Sequence, residues 1–212
     1  MLYKETVGSS TLELLISLMN DEWLADFVLV GGTAIALQVG HRISIDIDLF
    51  SNRPFDENNL ADYLRNQYQF QLDFLSTNTI KGEKNGIQID CIAHQYPWIE
   101  PFVKDGNIRI AGLSDLAAMK LNAISGNGTR IKDFIDIAFL SQELSLNHML
   151  KGYQEKYDSN PIIALKALTW FEDINFDEPI KMASGNPFNW KLVERRLKVM
   201  CNFPGKVFGQ KL

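Results

Sequence analysis

The sequence predicts an α+β fold in two parts, a sheet-bearing unit over residues 1–112 and a helical unit over residues 113–212. Three observations predict it. Alternation of polar and apolar residues, the mark of a strand with one wet face, is confined to the first half, at residues 42–49, 69–75 and 79–93. Apolar residues at helical spacing dominate the chain after Gly112. Short loops and a hairpin among the strands favour a mostly antiparallel or mixed sheet. With 46% of 212 residues hydrophobic and 22% charged, the chain can build a substantial core, which excludes a disordered, collagen-like or disulfide-scaffolded protein.

Taken in order, Ser10-Thr11-Leu12-Glu13 reads as a capping box, and Leu12, Leu15, Ile16 and Met19 continue it as a helix. Residues 27–30 are an apolar run that stops at Gly31-Gly32, a strand ending in a tight turn, and Thr33 stands where it can cap a short helix over 34–39. The strand over 42–49 follows, then a helix over 55–67, a strand over 69–75, and a hairpin over 79–93 whose Asn85-Gly86 pair suits a type I′ turn. A last strand is expected at 107–110. Ser114 is placed to cap a helix running to Ile124, and Ile131, Phe134, Ile135, Ala138 and Phe139 form the core stripe of another over 130–140. Further helices are expected at 145–157, at 160–171 behind an Asn160-Pro161 start, and at 189–200, with a loop over 173–187.

The formal net charge of -5 hides an asymmetry. From Gly185 onward Lys191, Arg195, Arg196, Lys198, Lys206 and Lys211 face one acid, Glu194. A uniformly basic nucleic-acid binder is excluded, whereas an acidic body with a basic tail is not. No apolar run is long enough to span a membrane and no secretory signal is visible, so a soluble cytoplasmic protein is expected. Cys91 and Cys201 have no CxxC spacing and read as small hydrophobes rather than zinc ligands or a disulfide. His41, His94 and His148 stand apart and read as surface or loop residues; Trp23, Trp98, Trp170 and Trp190 read as packing.

Chemistry concentrates in one place. Asp46 and Asp48, two apart on a strand, must share a face while Ile45, Ile47 and Leu49 take the other. Two adjacent carboxylates repel unless one is protonated or a divalent cation compensates them, and an oxygen pair suits Mg²⁺, whose shell is completed by water and substrate phosphates. Asp90, near the end of the hairpin's second arm, offers a third carboxylate if the strands are neighbours. Gly31-Gly32-Thr33 opens a helix, and free N–H groups there favour an anion. A phosphate cradle beside a metal site is what nucleotidyl transfer requires. Arg42 shares the face of Asp46, as a phosphate partner or a simple charge balance. Lys132 is one turn from Asp136, which permits an ion pair between them.

These residues resemble a known family. Val30-Gly31-Gly32-Thr33-Ala34-Ile35-Ala36-Leu37 and the segment from Gly40 through Ile45-Asp46-Ile47-Asp48-Leu49-Phe50 are similar to the signature of AbiEii/AbiGii-type nucleotidyltransferases, the toxins of type IV toxin–antitoxin systems, within the polymerase-β-like superfamily that includes the MenT toxins. Residues 113–121, 130–136 and 167–173 resemble its later blocks. The resemblance implies a polymerase-β-like nucleotidyltransferase domain followed by a helical bundle. It implies an enzyme that moves NMP from an NTP to a hydroxyl, a tRNA 3′ end by analogy, with a cognate antitoxin as partner. It assigns Mg²⁺ to Asp46 and Asp48 with Asp90 assisting, the triphosphate to Gly31, Gly32, Thr33, Arg42, Lys120 and Lys132, and the later acidic motif to Asp133 or Asp136. Lys132 stands where the family usually shows Arg, which keeps the charge and loses the planar fork. Two alternatives remain open at this point: a catalytically silent nucleotide- or partner-binding relative, and an enzyme whose acceptor is a small molecule or a protein hydroxyl.

Overall fold

The computed structural model describes residues 2–209, so Lys211 of the basic tail lies outside the described residues. After a 3-10 turn come α1 (Ser9–Met19), β1 (Val28–Val30), α2 (Gly31–Val39), β2 (Ile47–Ser51), α3 (Glu57–Tyr68), β3 (Gln71–Ser76), β4 (Thr79–Lys84), β5 (Ile87–Ala93), β6 (Val103–Asp105) and β7 (Ile108–Ile110). Helices α4 (Leu113–Gly126), α5 (Ile131–Leu140), α6 (Leu146–Tyr157), α7 (Pro161–Ala167) and α8 (Trp190–Asn202) complete the chain. The strands form one mixed sheet in the order β3-β4-β5-β2-β1-β7-β6. Pairs β2–β5 and β1–β7 are parallel and the rest antiparallel, as expected of an α+β chain. Among the described residues no helix is long and apolar enough to cross a membrane.

Alternation decides which sheet face is dry. Ile47, Leu49, Ile89, Cys91 and Ile80 are at most 1% exposed and pack into the core, while the intervening Asp48, Phe50 and Asp90 lie on the half-buried opposite face. The buried apolar residues make one cluster running from Leu15 in α1 through Leu49 and Phe134 to Met200 in α8. The hairpin turn is as expected, with Asn85 and Gly86 both at positive φ, 52° and 77°, as a type I′ turn needs. Cys91 is fully buried, and burial pushes its thiol up to about 12, so it behaves as a hydrophobe.

Several local expectations are corrected. The clear alternation at residues 42–49 yields a strand only from Ile47; before it, Arg42 and Ser44 make single bridges to Met182 and Val7, so this stretch is held by its neighbours rather than by a ladder. The capping box does not form, because α1 starts at Ser9 behind Gly8. Ser114 does not cap α4; the Glu100 carboxylate does so from a distance, accepting from Ser114 N at 2.8 Å and Ser114 Oγ at 3.1 Å. Helix α7 stops at Ala167, and the short hairpin β6–β7 around Gly106 (φ 59°) adds an edge strand that alternation did not reveal. Trp23 and Trp170 are about half exposed rather than packed in the core, Trp23 stacking on Tyr63.

Two buried charge clusters tie the helices to the sheet. Lys156 of α6 donates to Asp115 of α4 at 2.7 Å and to Pro97 O at 2.8 Å, and Asp115 also accepts from Ile99 N, which fixes the β5–β6 connection. The second cluster centres on Asp136 of α5. Arg42 donates to it through Nε at 2.8 Å and Nη2 at 3.0 Å, Lys120 of α4 stands at 2.8 Å, and His41 Nε2 at 2.8 Å. Burial alone would raise the pKa of Asp136, but Arg42 and Lys120 outweigh it and hold the carboxylate well below its ordinary range. Burial lowers the pKa of His41, so the ring is neutral and donates its Nε2–H to Asp136; this histidine is part of the core and not a surface residue.

Replacing Asp136 with Asn leaves Arg42 and Lys120 buried with half their compensation. Urea unfolding of Asp136→Asn is expected to show a loss of about 3–5 kcal/mol, the range for breaking one side of a buried ion pair.

Candidate active site

A cleft of about 570 Å³ opens where β1, β2 and α2 meet α4, α5 and the loop before α8. Its lining includes Gly31, Gly32, Arg42, Asp46, Asp48, Lys120, Lys132 and Asp133, eight of the eleven residues that the sequence assigns to the site. Thr33, Asp90 and Asp136 do not line it.

The glycine turn and the carboxylates fit each other sterically. Gly31 has φ +71°, and a Cβ there would stand 1.9 Å from Asp48 Oδ2; a Cβ on Gly32 would stand 2.2 Å from an Arg42 nitrogen. The two glycines therefore let Asp48 and Arg42 lie against the turn, and α2 starts at Gly31 with its unpaired first-turn N–H groups beside Asp48. Thr33 neither caps α2 nor faces the cleft. Its buried hydroxyl donates to Asp46 O at 2.5 Å and accepts from Ser44 Oγ at 3.0 Å, so it fastens the segment that presents Asp46.

Burial raises the pKa of Asp48 from the ordinary 3.8 to about 6; Lys120 opposes the shift, and the nearby Asp90 and Asp46 add to it. Three carboxylates thus lie within electrostatic reach, as neighbouring strands require, since Asp48 sits opposite Asp90 in the β2–β5 register. They do not form a closed cage: among the described residues no three His, Cys, Asp or Glu side chains are grouped to hold a metal. Asp90 is drawn away to Lys81, its cross-strand partner on β4. The fit is to a cation that takes two carboxylates and completes its shell from water and phosphate, which describes Mg²⁺ better than zinc or calcium.

The cleft lining is rich in basic side chains. Arg42, Lys120, Arg130, Lys132 and Lys181 line the cleft with three acids, and Asp136 and Glu178 behind the lining pair with Arg42, Lys120 and Lys132. Lys120 Nζ lies between Asp133 Oδ1 at 2.6 Å and Asp136 Oδ2 at 2.8 Å, and these two acids more than offset its burial to raise its pKa. Asp133 Oδ2 is buried with no hydrogen-bond partner among the described residues. Asp136, by contrast, has both oxygens occupied and acts by holding Arg42 and Lys120. Lys132 pairs with Glu178 at 2.7 Å and not with Asp136. Sequence reasoning missed Arg130, His94, Tyr157 and the segment Pro179-Ile180-Lys181; the last reaches the cleft because Ile43 N donates to Lys181 O at 2.8 Å, a pairing without a local signal.

The family described as "Nucleotidyl transferase AbiEii toxin, Type IV TA system" matches residues 13–103, the stretch holding the glycine turn and Asp46, Asp48 and Asp90. The chain belongs to this AbiEii family. It is 34% identical over 155 residues to the uncharacterized protein aq_aa25 of Aquifex aeolicus (strain VF5), covering 70% of this chain and 75% of that one. Its fold is similar to that of JHP933 from Helicobacter pylori, with TM-score 0.54, 15% identity and coverage of 94% and 93% of the two chains. A similar fold occurs in the antibiotic-resistance factor ANT(2'')-Ia, with TM-score 0.52, 14% identity and coverage of 69% and 91%. The AbiEii protein is thus a nucleotidyltransferase with a polymerase-β-like fold.

Two outcomes follow from the geometry. Gly31→Ala must displace Asp48 and adopt a left-handed backbone that costs roughly 1–2 kcal/mol; the variant is expected to fold and to bind Mg²⁺ or Mn²⁺ at least tenfold more weakly by calorimetry. Because folding raises the pKa of Asp48, its charge opposes folding fully above about pH 6, and the penalty disappears below the unfolded value of 3.8. Without divalent cations, Asp48→Asn should therefore stabilise the protein by about 1–2 kcal/mol at pH 7.5 and not at pH 3.5, by denaturant titration.

Proposed function

We propose that this nucleotidyltransferase is Mg²⁺-dependent and transfers NMP from an NTP to the 3′ hydroxyl of tRNA, as the toxin of a type IV toxin–antitoxin pair with a cognate antitoxin partner. The observation that supports the reading is the contact of the glycine turn with Asp48, which sets a helix N-terminus for phosphates against a carboxylate pair for a cation. Asp46 and Asp48 would hold Mg²⁺, which when bound supplies charge neutralisation at the transferring phosphate. Gly31 and Gly32 N–H groups with Lys120, Arg130, Lys132 and Lys181 would hold the triphosphate, Arg42 supporting them from its seat on Asp136.

The acceptor oxygen forms a bond to the α-phosphorus as the α–β anhydride bond breaks and pyrophosphate leaves toward the lysines. Asp90, opposite Asp48 in the β2–β5 register but outside the cleft lining, would take the hydroxyl proton once its pairing with Lys81 opens. In this reading the exposed Lys191, Arg195 and Lys198 of α8 and Lys206 after it follow the acceptor's phosphates outside the cleft. The likeness to ANT(2'')-Ia is one of fold and carries no antibiotic acceptor to this chain.

The test is incubation with each α-labelled NTP, Mg²⁺ and total tRNA. Label is expected on tRNA with the wild-type protein, and none with chelator or with Asp46→Ala/Asp48→Ala, a loss of at least about 10³-fold by analogy with removal of charge-stabilising groups. Equal transfer by the double variant would refute the metal assignment.

A further inference from the structure

The cleft has a second wall that the phosphate chemistry does not use. Phe50 lies two residues beyond Asp48 on β2 and so on the same sheet face, roughly 6.6 Å further along the strand. Immediately after β5, His94 N donates to Ser51 O at 2.7 Å, which carries the parallel pairing onward and sets the imidazole beside Phe50, ring centroids 5.3 Å apart. Tyr157, the last residue of α6, closes the group: its ring is 5.6 Å from His94 and 4.7 Å from Tyr96, and its hydroxyl is 3.2 Å from His94 Nε2. Phe50, His94 and Tyr157 all line the cleft.

This wall is built for a flat, neutral group. None of its members is charged at neutral pH, since burial, helped by Lys156, lowers His94 to about 4. His94 Nδ1 is shut from solvent and has no hydrogen-bond partner among the described residues. Lys120, Lys132 and Lys181 reach the cleft from α4, α5 and the loop before α8, and Arg42 from the segment before β2, whereas the aromatic residues come from β2 and from the ends of β5 and α6. In an in-line displacement pyrophosphate departs on one side of the phosphorus and the acceptor hydroxyl enters on the other, so a nucleoside, of the NTP or of the acceptor, must be held beside the reacting centre.

We propose that Phe50, His94 and Tyr157 form a nucleobase-stacking subsite, filled by the base of the bound NTP or by the terminal base of the acceptor RNA. The proposal rests on the nucleotidyl-transfer reading above and deepens it. Stacking on aromatic side chains tolerates any base, since every base has a π face, so the subsite selects for the presence of a base more than for its identity.

Two probes separate the sources: 2-aminopurine riboside triphosphate with Mg²⁺, and a tRNA acceptor-stem hairpin ending in 2-aminopurine. Quenching of the first on saturation with wild-type protein assigns the wall to the NTP, and quenching of the second assigns it to the acceptor. In parallel, Phe50→Leu and Tyr157→Leu, which keep bulk and lose the ring, should weaken the quenched probe's binding by about 5- to 100-fold, the range for one lost base stack, while tripolyphosphate binding changes less than twofold. Bound probes that show no quenching, with variant affinities unchanged, overturn the subsite and leave nucleotidyl transfer standing. A wild-type protein that binds neither NTP nor tripolyphosphate overturns both. The quenching measurement needs no substitution, so it decides the matter even if a variant fails to fold.

Discussion

The carboxylate of Asp136 is the constraint on which the site depends. It is wholly buried, and it is shared by Arg42 from the segment before β2, Lys120 from α4 and His41 at the end of the α2 turn. Removing a carboxylate from water is costly, and only complete pairing offsets that cost. The pairing chosen here joins parts of the chain nearly a hundred residues apart, because Arg42 and Asp136 are separated by 94 positions. The same contacts orient Arg42 and Lys120, two of the cations that border the cleft. Folding of the helical part against the sheet and assembly of the phosphate pocket are thus one event.

A division of labour among the acids follows. Asp136 has no lone pair free and serves as an anchor. Asp133 gives one oxygen to Lys120 and keeps the other unclaimed. Asp48 is the carboxylate the fold least satisfies: burial and its acidic neighbours push its pKa up, and Lys120 compensates only in part. Charge frustration of this kind clusters at functional sites, and it separates Asp48 from ordinary wet-face aspartates that an alternating strand would also contain. The family match covers Asp48 and stops before Asp133 and Asp136, so the case for the later acids rests on their contacts alone.

What was legible in the sequence tracks what is decided locally. The hairpin turn at Asn85-Gly86 was readable because positive φ at two successive positions needs those residue types. Asn160 and Ser145 cap their helices as their side chains suggest, whereas Asp46 and Asp48 both reach the cleft although only Asp48 lies in the strand. The failures share the opposite character. Thr33 looked like a cap, but a partner thirteen residues on, Asp46 O, claims its hydroxyl. Ser114 yielded its capping role to Glu100, fourteen residues back. His41 looked isolated because its partner is on α5, and the aromatic wall was invisible because Phe50, His94 and Tyr157 share no local pattern. The alternation at 42–49 overstated the strand for the same reason: Arg42 and Ser44 alternate correctly, yet their backbone pairs with Met182 and Val7 and not with a continuous ladder.

The glycine pair carries the sharpest lesson about motif and cause. A strand-to-helix turn with two glycines suggests close approach of phosphate, and that reading needs no side chain at all. Here each glycine is also required by the protein itself, Gly31 by Asp48 and Gly32 by Arg42. The proposed phosphate cradle and the proposed cation site are therefore not independent features that happen to lie together. A side chain at the turn would move the carboxylate, and a carboxylate held elsewhere would relieve the need for glycine. The pattern of two glycines followed by two alternating aspartates is the trace in sequence of one steric contact across β1 and β2, whose register sets Val30 opposite Asp48. That contact also explains why the pattern is informative where either half alone is not: an ordinary glycine turn has no reason to be followed, on the neighbouring antiparallel strand, by a half-buried acid at the one position that touches it.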